Sequence, residues 1–256
     1  MTREEDIKNA VEVLRKGGVI LYPTDTVWGI GCDATNAEAV KRVYDIKQRD
    51  DSKAMICLVD SDARLQRYVR QVPDVAWQLI DSLQAATVSA PTASKATVSK
   101  ATASKATASK ATVPDGSPSG SSPSGSSPSG SSPSGSSPSG SSPSGSSPSG
   151  IKPTTIILDG AVNLAPNLIA EDGSIALRIT NEPFSKELCY RFQKALVSTS
   201  ANISGEPAAQ NYCDIDPRII EQVDYVCWTR RQEHKPHTPS SIIRLRPDGE
   251  VTIIRS

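Results

Sequence analysis

Apolar residues recur at helical spacing near the start of the chain, where Ile7, Val11 and Leu14 stand at i, i+4 and i+7 and Gly17-Gly18 follows. Thr2 and Glu5 have capping-box spacing, so the pattern predicts a helix over Thr2–Lys16. Val19–Tyr22 is a continuous apolar run that stops at Pro23, the mark of a short buried strand. After a polar turn, Thr35 and Glu38 repeat the capping-box spacing ahead of a second helix built on Val40, Val43 and Ile46, which delivers Lys47 and Arg49 at its end. Ala54–Val59 reads as a buried strand, and two shorter helices follow around Ser61–Val69 and Pro73–Asp81.

The second half alternates less regularly. Strands are predicted at Thr154–Leu158, Ser174–Ile179, Ala195–Ser198, Tyr225–Trp228, Ile242–Leu245 and Val251–Ile254, the last two joined by the hairpin turn Pro247-Asp248-Gly249-Glu250. Helices are predicted at Pro183–Gln193 and Pro217–Val223. Interleaved strands and helices with a strand-rich end point to an α/β fold, a twisted mixed sheet with helices packed on it.

Between residues 86 and 150 the pattern disappears. Three A-T-(A/V)-S-K pentads run from Ala96 to Lys110, and six S-S-P-S-G pentads from Ser121 to Gly150. A period of five builds no apolar face on a helix or a strand, and the composition predicts a disordered tether. The chain therefore reads as one discontinuous domain, residues 1–85 with 151–256, interrupted by a low-complexity insert. Lengthening a four-residue loop to this size costs about 2.4 kcal/mol in closure entropy, which a domain survives.

Charge narrows the function. The whole chain is neutral, but outside the insert 24 basic face 27 acidic residues, a net −3. A protein whose main task is gripping a nucleic-acid backbone is usually clearly basic. Five scattered cysteines (Cys32, Cys57, Cys189, Cys213, Cys227) without C-x-x-C spacing read as buried reduced thiols, not a disulfide framework or zinc site. The charged start Met1–Asp6 lacks an apolar signal region, and no apolar run approaches bilayer length, so a cytoplasmic protein is expected.

Three segments carry chemistry. Tyr22-Pro23-Thr24-Asp25-Thr26-Val27-Trp28-Gly29-Ile30-Gly31 hands a strand over to hydroxyls, a carboxylate and glycines; it reads equally as a ligand loop or a capped turn. Lys47-Gln48-Arg49, with Lys53 nearby, suits a polyphosphate clamp or simply complements a helix dipole. Ser198-Thr199-Ser200-Ala201-Asn202-Ile203-Ser204-Gly205 ends a strand in hydroxyls and an amide, a ligand loop or a Ser/Thr-rich turn. His234 and His237 sit in a polar loop and read as solvated.

Together and in this order, YPTDTVWGIG, the K-x-R of Lys47 and Arg49 and the S-A-N of Ser200–Asn202 resemble the YrdC/Sua5 family of threonylcarbamoyl-adenylate synthases. Lys152-Pro153-Thr154-Thr155, Ile175–Ile179, Ser240–Ile243 and Ile253–Arg255 extend the resemblance to essentially everything outside the insert. The chain departs from the family pattern at Ala54, at Thr199, and at Thr180-Asn181-Glu182, where Arg-Ile-Pro-x-His is usual. It has the length of the short, single-domain form.

The resemblance implies a YrdC-like (DHBP synthase-like) fold and a nucleotidyltransferase that makes threonylcarbamoyl-AMP and pyrophosphate from L-threonine, bicarbonate or CO2 and ATP. That product serves N6-threonylcarbamoyladenosine formation in tRNA. It implies catalytic roles for Lys47, Arg49, Ser200 and Asn202. The same four, with Lys53, Thr155, Ser240 and Arg255, are expected to bind ATP, and Thr26 and Arg178 to bind threonine. Mg2+ is expected with the ATP and no dedicated protein metal site; tRNA and a downstream threonylcarbamoyl-transferase complex are the implied partners. The rival readings are a non-catalytic module binding double-stranded RNA or tRNA, a carbamoyl-transfer domain like those of hydrogenase maturation proteins, and a folded but inactive domain.

Overall fold

The computed structural model describes residues 1–49, 55–88, 152–234 and 238–256, with the side chains of 86–88 left aside; Lys53, His237 and nearly all of the predicted insert lie outside these residues. The chain order is α1 (Arg3–Arg15), β1 (Ile20–Tyr22), β2 (Gly29–Gly31), α2 (Ala37–Lys47), β3 (Ile56–Val59), α3 (Asp62–Leu65), α4 (Asp74–Val88), β4 (Thr154–Asp159), β5 (Ser174–Ile179), α5 (Pro183–Phe192), β6 (Leu196–Ser200), α6 (Pro217–Ile220), β7 (Tyr225–Val226), β8 (Ser241–Leu245) and β9 (Val251–Arg255). Among the described residues the strands form one mixed sheet, ordered β7-β1-β2-β6-β3-β5-β4-β8-β9. β1–β7, β3–β5 and β4–β8 are parallel and the other neighbours antiparallel.

Local chemistry explains most element ends. Thr2 and Glu5 close the expected capping box on α1. The cap of α2 falls one residue later than its spacing predicts: Asn36 Oδ1 accepts from the amides of Glu38 and Ala39, while Thr35 is held by the Asp33 carboxylate at 2.7–2.8 Å. The longer Asn side chain reaches two amides at once and wins. The helix predicted over Ser61–Val69 divides into α3 and a 3-10 turn at Gln66–Tyr68, and α6 stops at Ile220. α4 runs seven residues past its predicted end, into the first residues assigned to the insert.

The glycine-rich stretch after Pro23 is not all turn, because Gly29–Gly31 forms strand β2. Its glycines look unfavourable for a strand, but the ring of Tyr22 lies across them. A Cβ on Gly31 would stand 2.6 Å from Tyr22 Cε1 and 2.7 Å from the Val197 carbonyl oxygen, so only glycine fits.

Register sorts side chains into two faces, since paired residues share a face and alternate residues return to it. One face packs Leu21, Ile30, Cys57, Val59, Ile156, Leu177 and Val197 beneath α2 and α4. The other sets Ile20, Tyr22, Leu58 and Leu196 against Ile7, Val11 and Leu14 of α1 and Phe184, Leu188 and Phe192 of α5. Cys32, Cys57, Cys189 and Cys227 are buried as expected, burial pushing the Cys57 thiol up to about 12. Cys213 corrects the expectation; it is exposed.

Asp6 fastens the start of α1 to the sheet edge. Fully buried, its carboxylate accepts from Tyr225 Oη, the Trp228 and Thr229 amides and Thr229 Oγ1, at 2.6–3.0 Å. These bonds stop β7 at Val226, short of the predicted Trp228. Asp6→Ala strands four donors and should cost about 3 kcal/mol of unfolding free energy, read from urea titration. A loss under about 0.5 kcal/mol would contradict this role.

Candidate active site

The loop from Pro23 to Trp28 folds over the face that carries α1 and α5, and its hydroxyls are tied internally. Thr24 Oγ1 donates to the Val27 carbonyl at 2.6 Å, accepts from the Thr26 amide at 3.1 Å and lies 3.0 Å from Thr26 Oγ1. This small knot leaves Thr26 buried and turns Asp25 toward β5. There Asp25 Oδ1 stands 2.9 Å from Arg178 Nη2, both side chains at least nine-tenths buried. The contact is a charge pairing without an aligned hydrogen bond, and Arg178 Nε has no partner among the described residues. A buried guanidinium with an idle donor is costly unless an acceptor arrives.

The second group forms where α2 meets β6. Gln48 ends α2 in the left-handed region (φ 49°), its amide bonding the Asp45 carbonyl and the Arg49 amide the Tyr44 carbonyl. This is a Schellman turn with glutamine where glycine is usual, at roughly 1 kcal/mol of backbone strain. It separates Lys47, buried at 2 % exposure, from half-buried Arg49. Lys47 Nζ donates to the carbonyls of Ser200 (2.6 Å) and Asn202 (2.7 Å), with Asn202 Oδ1 at 3.5 Å. Ser200 Oγ donates to Asn202 Oδ1, and the Ser204 amide bonds the Lys47 carbonyl. Burial lowers the Lys47 ammonium to about 8, with the Arg49 charge adding to the drop.

A third group joins β4, β8 and β9: Thr155 Oγ1 lies 3.0 Å from Ser240 Oγ, and Arg255 donates from Nε to the Ser240 carbonyl and from Nη2 to its hydroxyl. Thr155 and Ser240 are buried.

The sheet register relates the three. Ser198 pairs Ile56, which pairs Ala176, and one step beyond the Ile156–Leu177 pair brings Thr155 level with Arg178. Ser198, Ser200, Arg178 and Thr155 therefore share one face, beside the patch that α1 and α5 cover. Ser200 and Arg178 are two strands and four residues apart, roughly 16 Å between backbones. Two cationic poles result, Arg178 on this face and Lys47 at the end of β6, reached from α2. An open depression of about 750 Å3 at the far ends of β3 and β5, lined by Asp60, Asn181, Lys186 and Tyr190 among others, contains none of the expected site residues.

Of those residues, Lys47, Ser200 and Asn202 touch one another, Ser240 touches both Thr155 and Arg255, and Thr26 stands next to the Asp25–Arg178 pair. His234 is exposed as read. Asp25 was visible within its motif yet drew no role, because a carboxylate among hydroxyls reads as a turn former. Among the described residues no group of three His, Cys, Asp or Glu side chains is placed to hold a metal. No described helix is long and apolar enough to cross a membrane.

Comparison with known proteins decides the kinship. The Sua5/YciO/YrdC family model, described as telomere recombination, matches residues 12–113 and 149–256. The chain belongs to this family. A threonylcarbamoyl-AMP synthase of Stenotrophomonas maltophilia is 29% identical over 222 residues, covering 87% of this chain and 85% of the relative. Among solved structures, a double-alanine variant of P. abyssi Sua5 superposes with a TM-score of 0.67 at 16% identity, over all of this chain and 57% of that one. P. abyssi Sua5 complexed with L-threonine gives 0.61, also at 16%, over 96% and 52%. The chain thus spans little more than half of that Sua5, and the likeness establishes the family fold, a mixed twisted sheet with packed helices.

Proposed function

We propose that this chain is an L-threonylcarbamoyladenylate synthase. One observation carries the reading: a buried Arg178 with an idle Nε beside Asp25, two strands from the end of β6, where the buried cation Lys47 holds the Ser200 and Asn202 carbonyls. The first pole suits the carboxylate of an amino acid, because Arg offers paired, directional donors. The second suits phosphates, which gather negative charge during transfer.

Threonine sits with its carboxylate on Arg178 and its hydroxyl toward Thr26. Its amine forms a C–N bond to CO2 derived from bicarbonate and sheds a proton, leaving a carbamate. A carbamate oxygen then bonds the α-phosphorus of ATP as the bond to pyrophosphate breaks. Lys47 and Arg49 stabilise charge on the phosphoryl oxygens, and Ser200 and Asn202 donate to them. Lys53 joins this clamp, and Thr155, Ser240 and Arg255 hold the nucleotide side. ATP enters as its Mg2+ complex, the ion held by phosphate oxygens and water. The product passes to a threonylcarbamoyl-transferase complex that modifies tRNA in the cytoplasm.

Lys47 turns from the Ser200 and Asn202 carbonyls to phosphate when ATP binds, so its ammonium form is required. With its value near 8, kcat/KM for ATP should fall as pH rises through about 8, and the limb should move to higher pH in Lys47→Arg. A profile flat to pH 9.5 would argue against this role. The sign for stability is opposite. Below about 8 the cost of burying the ammonium is felt in full; above it the native state sheds this proton first, and stability rises toward lysine's ordinary value.

The reading is tested by mass spectrometry with 13C-bicarbonate, L-threonine and ATP. One labelled carbon should appear in a species joining threonine to AMP; unlabelled AMP without that species would refute it.

A further inference from the structure

Arg230 enters none of these roles, yet its surroundings are unusual. Its backbone lies in the left-handed region at φ 66°, uncommon for a residue with a Cβ and a source of roughly 1 kcal/mol of strain. Such strain persists where the surroundings over-determine it. Asp6 fixes Trp228 and Thr229 immediately before it, so the chain arrives at Arg230 already anchored. The side chain points inward, about four-fifths buried, and its donors are divided. Nη1 donates to the Thr24 carbonyl at 2.9 Å and stands 3.5 Å from Glu182 Oε1; Nε donates to Glu233 Oε2 at 2.6 Å.

Each partner has a reason to be held. Thr24 carries the knot that fixes Thr26 and aims Asp25 at Arg178. Glu182 is 5 % exposed, and its other oxygen caps α5 through the Ser185 amide and hydroxyl. Glu182 also stands where the family pattern has histidine, so this chain places a second buried carboxylate near Asp25. Arg230 is the cation that stands against this carboxylate, at 3.5 Å.

We propose that Arg230 is a positioning residue for the threonine subsite. It clamps the Thr24–Thr26 loop to Glu182 and offsets that carboxylate's charge, presetting Asp25 and Thr26 for the amino acid without touching it. The inference rests on the synthase reading for its kinetic arm only.

The test compares wild type with Arg230→Ala, Arg230→Lys and Glu182→Gln, the last keeping an oxygen to cap α5. Arg230→Ala should raise the threonine KM about tenfold, the worth of one charge-assisted hydrogen bond, and leave the ATP KM within about twofold. Arg230→Lys should recover part of the loss, and Glu182→Gln should fall between wild type and Arg230→Ala. Independently of turnover, hydrogen exchange of the backbone at residues 24–28 should quicken in Arg230→Ala while α1 and α5 keep their protection. An unchanged threonine KM with unchanged exchange would overturn the proposal. So would a fall in which both KM values, kcat and melting temperature move together, because that marks a purely structural residue. Absence of threonine-dependent turnover in wild type would refute the synthase reading instead, and the exchange comparison would still decide the clamp.

Discussion

Lys47→Met is expected to lower pyrophosphate release by about a thousandfold, a loss of roughly 4 kcal/mol of transition-state stabilisation. The magnitude follows from placement. Lys47 is 2 % exposed, so its charge acts where water screens it least. Methionine keeps most of the stem's volume, which limits the packing cost. The ammonium also holds the Ser200 and Asn202 carbonyls, and its removal loosens the loop that carries both side chains. Two effects therefore add in one variant. Lys47→Arg separates them, since it restores charge and carbonyl contacts but not the compact shape of an ammonium; it should recover only part of the rate. Steady-state kinetics checks both, and a Lys47→Met rate within tenfold of wild type would remove Lys47 from the mechanism.

Arg178→Gln is the second large effect. It removes a buried positive charge and leaves Asp25 without its counter-ion, so the threonine KM should rise at least about a hundredfold, with a smaller change in the ATP KM. Asp25→Asn should act in the same direction but less, because it leaves the guanidinium in place. Titration of threonine at saturating ATP measures this. Equal changes in both KM values would mean that Arg178 supports the fold instead of the amino-acid subsite.

Much of this was legible in the chain. Periodicity located α1, α2, α5 and most strands, because each buries one face against a sheet and the apolar residues must repeat accordingly. Ser200, Arg178 and Thr155 fell on one sheet face because alternate strand residues return to it, and the α2 terminus brings Lys47 to the end of β6. What was hidden is equally physical. β2 was invisible because its glycines answer to close approach by the Tyr22 ring and the Val197 carbonyl, which hydrophobic periodicity does not register. The α2 cap moved to Asn36 because side-chain reach, not spacing, chose between neighbours. Arg230 gave no signal, since its partners Thr24 and Glu182 are 206 and 48 positions away.

Pyrophosphate release measured with ATP, L-threonine and bicarbonate together, then with each omitted in turn, tests the central claim most directly. The account predicts release that needs all three and falls to background when threonine or bicarbonate is left out. Release from ATP that ignores threonine and bicarbonate, or none under any condition, would contradict it.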